Sequence, residues 1–209
     1  MNNKKFTPLM ICHLVMMAVL ALLSVAAAVI ICNKAYALPG EGYATWKSAI
    51  YTTGTMSIIE IVALIVGILY LASGYSKSAA GFYKAFLTIS ALSAAVAIIP
   101  DVLSMQAGNV LDGAVIGSNG VNLTRILLHI CEVVILLLLA FGKDLGKHRT
   151  WIFFGVLLAL NVMISILSLF YAHSFLITLL HSLTHLLMTG TFGLAIKGKY
   201  DDKDARGTK

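Results

Sequence analysis

Six apolar runs divide this chain, and no other feature limits its fold as strongly. They fall at about residues 8–31, 49–72, 79–100, 121–141, 151–171 and 174–196 of the 209 in the sequence. A helix rises about 1.5 Å per residue, so about 20 apolar residues cross a hydrocarbon core of ~30 Å. Every run reaches that length. The expected fold is therefore all-α: a bundle of six transmembrane helices, with residues 1–199 forming one transmembrane domain and 200–209 a charged tail.

Composition agrees. Only 11% of residues are charged and 59% are hydrophobic, whereas a soluble domain carries roughly 25% charged residues. That is too few to cover a water-facing surface, and lipid contact explains the deficit. Run ends are marked by Pro100 and Asp101 after the third and by Gly142-Lys143-Asp144 after the fourth. Trp46, Trp151, Tyr171 and Tyr200 fall near the expected interfaces, where amphipathic rings are favoured.

Lys and Arg in the loops set orientation. Lys4, Lys5, Lys77, Lys84, Lys143, Lys147, Arg149, Lys197, Lys199, Lys203, Arg206 and Lys209 fall on one side, twelve in all. The other side has Lys34, Lys47 and Arg125. This bias predicts that both termini are cytoplasmic, and the bundle is read as one of a plasma (inner) membrane of bacterial type. A competing reading exists at Ala35-Tyr36-Ala37, which fits a signal-peptidase site; cleavage after Ala37 would leave five spans. A signal core is usually about 7–15 residues. The first run is longer and Lys34 separates it from the site, so the run is read as a retained span.

The loops carry no recognisable chemistry. Leu38-Pro39-Gly40-Glu41-Gly42 is a turn-forming stretch. Residues 101–120, with Gly108, Gly113, Gly117 and Gly120, read as a flexible outer loop. A glycine-rich phosphate cradle needs a preceding strand, and none is predicted. The tail Tyr200–Lys209 mixes charges and is expected to lack fixed structure. Cys12, Cys32 and Cys131 form no C-x-x-C pair and are read as small apolar residues. The formal charge of +6 follows from the orientation signal. Without a basic stripe interleaved with aromatics, nucleic acid is not an expected partner.

Ionisable groups inside a bilayer cost about 2.5–3.5 kcal/mol each on insertion scales, and they usually face a bundle interior or wet cavity. In the runs these groups are Glu60, Arg125, His129, Glu132, His181 and His185, joined by the polar Asn161. Arg125, His129 and Glu132 share one face of the fourth helix, and His181 and His185 one face of the sixth. Asn161, Ser165 and Ser168 form a similar stripe on the fifth. The simplest packing turns these stripes towards one another. Their depths place the polar groups in the middle and outer half, with an apolar inner half. The first and third helices read as packing and lipid-facing elements, and Glu60 as an interior hydrogen-bonding group.

Three classes of function stay open. A transporter or membrane sensor would handle a small solute, ion or proton through an outward-facing polar interior, along Glu60, Arg125, His129, Glu132, Asn161, His181 and His185. An intramembrane metal-binding protein or metalloenzyme would use His129, Glu132, His181 and His185, a ligand set suited to Zn²⁺ or another transition metal. Haem is not indicated, because no haem-attachment motif is present. A non-catalytic subunit or scaffold would use the polar groups as interhelical hydrogen bonds. Partners expected are the bilayer, a small solute or ion, and further copies of the chain or a larger membrane complex. The spacing His181-x-x-x-His185 resembles the last helix of the seven-helix PAQR and alkaline ceramidase hydrolases. That resemblance covers these residues alone. The early Ser, Asp and His of those families have no counterpart, since the one early histidine, His13, lies at the opposite depth, and no activity is carried over.

Overall fold

The computed structural model describes residues 8–37, 44–73, 79–110, 119–142, 145–170 and 175–207. Among them the elements are α1 (Pro8–Ala37), α2 (Ala44–Ala72), α3 (Ala79–Val110), α4 (Asn119–Phe141), α5 (Lys147–Phe170) and α6 (Phe175–Gly207). Each is long and apolar enough to span a membrane, and no strand occurs among the described residues.

Short connections make consecutive helices antiparallel neighbours. α2 packs on α1 and α3, α3 on α4, α4 on α5, and α5 on α6. α6 returns to α1 and closes the ring, and it also meets α2 across it. The α2–α6 contact matters most for the site, because it joins helices more than a hundred residues apart.

The interior divides into two halves. Met17, Leu64, Leu71, Phe86, Leu87, Leu136, Leu157, Met188 and Phe192 form one buried apolar cluster. In an up-and-down bundle these positions fall in the half nearer both termini. There Phe86 and Phe192 stack at 4.7 Å between centroids. Gly67 brings α2 close to its neighbours, since a Cβ would meet Met17 Cε and Phe86 Cζ at 2.9 Å each. The other half holds Ser57, Glu60, Asp101, Asn122, His129, Asn161 and Ser165, all buried.

The outer surface is apolar on every helix. Leu22, Ile58, Leu92, Leu127, Ile166 and Leu183 are exposed, one from each helix in turn. A surface so apolar is incompatible with water and fits acyl chains. Polar backbone groups are satisfied within the helices, as a hydrocarbon environment requires.

Two boundary expectations are corrected. Pro100 and Asp101 do not close the third helix, because α3 continues through Pro100 to Val110. Proline removes one backbone hydrogen bond, and packing against neighbouring helices compensates in membrane bundles. The connection between α3 and α4 is accordingly residues 111–118, Gly108 lies in α3, and Gly120 lies in α4. Likewise, the tail is not structureless, since α6 extends to Gly207. Lengthening an existing helix avoids the nucleation cost that a free charged segment faces. The Leu38–Gly42 turn, Gly113, Gly117, Lys77, Lys143, Tyr171, Ser174 and Lys209 lie outside the described residues.

Candidate functional site

Glu60 occupies the centre of the polar half. It is fully buried on α2 and turned towards α6. Its Oε2 lies 3.0 Å from His181 Nδ1, and its Oε1 lies 2.6 Å from His185 Nε2. One carboxylate thus touches two imidazoles spaced one helical turn apart on α6. Ser57, three residues before Glu60 on the same face, completes the contact. Its Oγ lies 3.2 Å from His181 Nε2 and 3.1 Å from the Thr53 carbonyl.

A second pair stands on α4, where His129 Nδ1 lies 3.1 Å from Glu132 Oε2. Both are buried. Glu132 is within electrostatic reach of His185, and His129 of Asp101. Asp101 of α3 pairs with Arg125 of α4 at 3.3 Å. Polar and ionisable side chains therefore follow one another from Ser57, His181 and Glu60 through His185 to Glu132, His129, Asp101 and Arg125. The series crosses α2, α6, α4 and α3. At its far end the Arg125 side chain is 27% exposed, so this end meets the surroundings while Glu60 does not. Asp101 Oδ2, Arg125 Nε and Asn122 Nδ2 are buried there without a protein hydrogen-bond partner.

Most residues singled out from sequence come together, though not always as expected. His181 and His185 face Glu60 instead of the α5 stripe. Arg125 shares its face of α4 with His129 and Glu132 but pairs with Asp101 of α3. Asn161 is buried, yet its Nδ2 donates to the Leu157 carbonyl of its own helix at 3.1 Å. Ser165 is also buried, and Ser168 is half-buried. Among the described residues, no group of three or more His, Cys, Asp or Glu side chains is arranged to hold a metal ion.

Two contributors were missed by sequence reasoning. Asp101 was assigned to a helix end, although its place beyond Pro100 in an otherwise helical pattern was a usable signal. Ser57 carries no sign of its role by residue type alone, since serine is an ordinary packing residue in membrane helices. Its i, i+3 relation to Glu60 was the signal available.

The fold and this interior define a class: a polytopic α-helical membrane protein with a charged, buried core. No protein-family model, curated protein or solved structure matches the chain. The reading of its function therefore rests on the geometry.

Proposed function

We propose that this protein handles protons through its polar half, as a transporter or sensor coupled to a small solute or ion. The observation that carries the reading is the fully buried Glu60 with both oxygens against imidazoles. Such a group is costly in a bilayer, and chains of Asp, Glu and His serve as proton relays in membrane pumps and transporters. Histidine exchanges protons near neutral pH. Alternating carboxylates and imidazoles from Glu60 to Asp101 supply successive positions for a proton, and Arg125 sets the potential at the outer mouth.

The positive-inside bias of the loops supports a reading with both termini in the cytoplasm, in a plasma membrane. The polar half then opens away from the cytoplasm. The test is proton flux into proteoliposomes carrying an internal pH dye, under an imposed pH gradient. His129→Ala and His185→Ala abolish flux while leaving membrane insertion unchanged. Unchanged flux in both variants contradicts the reading.

One observation favours a second reading. The two imidazoles tie α2 to α6 through a single carboxylate, which serves assembly regardless of proton movement. On that reading, the same variants weaken the bundle and the wild type gives no flux above protein-free vesicles.

A further inference from the structure

We infer that Ser57 is a positioning residue that fixes where His181 carries its protons, so that one proton lies between His181 Nδ1 and Glu60. The consequence drawn for flux rests on the proton-handling reading, whereas the ring assignment does not.

The hydrogens available at Ser57 and His181 can be counted. A serine hydroxyl has one proton and a carbonyl only accepts. The 3.1 Å contact of Ser57 Oγ with the Thr53 carbonyl takes that proton. The 3.2 Å contact with His181 Nε2 must then be filled from the ring, with Nε2–H donating to Ser57 Oγ. A neutral imidazole protonated at Nε2 has a bare Nδ1. That nitrogen faces Glu60 Oε2 at 3.0 Å. Two lone pairs at this distance repel, so a further proton sits between them. Whether drawn as imidazolium with carboxylate or imidazole with carboxylic acid, the pair is neutral overall. The other carboxylate oxygen, Oε1, lies 2.6 Å from His185 Nε2 but outside hydrogen-bond alignment, so the count concerns His181 alone. The arrangement described is thus the proton-loaded form. Releasing the shared proton leaves carboxylate against bare nitrogen and loosens the α2–α6 tie.

The surroundings fit this count. Glu132 of α4 acts electrostatically on His185 beside Glu60, and it is paired with His129 and through it related to Asp101 of α3. From α1 and α5 the buried polar side chains include Ser24, Asn161 and Ser165, none of which titrates. The order hydroxyl, imidazole, carboxylate also occurs in acyl-transfer triads. Ser57 differs from a nucleophile, because it is fully buried in mid-helix. Its own N–H belongs to the helix ladder, which leaves no backbone donor there for an oxyanion.

The experiment is nitrogen NMR of ¹⁵N-histidine-labelled protein in lipid bilayers, with the His181 signals assigned from His181→Gln. Wild type and Ser57→Thr are expected to show a protonated Nε2, and Ser57→Ala a shift towards the Nδ1–H tautomer. In the flux assay, the pH midpoint of Ser57→Ala falls by about 0.7 unit, the roughly fivefold loss of proton affinity expected from one hydrogen bond. Ser57→Thr keeps the wild-type midpoint. A bare Nε2 in the wild type, or identical spectra for wild type and Ser57→Ala, overturns the inference. Absence of flux from wild type with Nε2 protonated overturns the proposed function and leaves the ring assignment standing.

Discussion

Glu60 of α2 and His185 of α6 meet at 2.6 Å, where the sixth helix crosses the ring to touch the second. The contact ties α6 to α2 across the ring that α1 and α6 close. α6 packs on α5 and α1 through apolar side chains and small hydrogen bonds, such as Ser24 Oγ to Thr184 Oγ1 at 3.3 Å. Its meeting with α2 at this level is made by charge. A lipid-exposed position would leave Glu60 unpaired, whereas this packing gives it two partners.

The Asp101–Arg125 pair should show measurable coupling. Asp101→Ala, Arg125→Ala and the double variant, unfolded reversibly in mixed micelles, form a double-mutant cycle. A coupling of about 0.6 kcal/mol, and at most about 1.7 kcal/mol, is expected, the average and the maximum for interhelical polar contacts in a membrane bundle. Partial exposure of Arg125 favours the low end. Coupling indistinguishable from zero would show that the pair does not join α3 to α4.

Packing near the termini predicts a contrast between two glycines. At Gly67 a side chain meets Met17 and the buried ring of Phe86 at 2.9 Å, so Gly67→Val should destabilise by about 1–3 kcal/mol. At Gly155 nothing stands within 4 Å, and Gly155→Ala should be neutral or stabilising by up to about 1 kcal/mol through helix propensity. Thermal unfolding in detergent compares the two. Equal effects would contradict the packing described for α1, α2 and α3.

Orientation is tested by reporter fusions at the C-terminus. A fluorescent protein that matures only in the cytoplasm should be bright, and an alkaline phosphatase fusion inactive. The opposite pattern would place the polar half towards the cytoplasm and reverse the direction of access.

Much of this fold was legible in the sequence, because apolar length is a local property and six runs announced six helices. The stripes on α4 and α6 were legible too, since i, i+3 and i, i+4 spacings fix a face without tertiary knowledge. The partnerships between helices were not. Nothing in a single sequence says that Glu60 meets His181, more than a hundred residues away, and not the nearer His129. The Asp101–Arg125 pair was hidden by a local rule. Proline reads as a helix stop in water, but α3 runs through Pro100 and carries Asp101 inwards. Asn161 illustrates the reverse, since a polar residue on the right face spends its hydrogen bond on its own helix.

The most direct test of the central claim is proton flux through Glu60→Gln beside wild type in the same proteoliposomes. Glutamine keeps the shape and one donor contact but cannot exchange a proton. Flux is expected in the wild type and a loss of more than about tenfold in the variant, with insertion and melting temperature nearly unchanged. Equal flux through both proteins would contradict it.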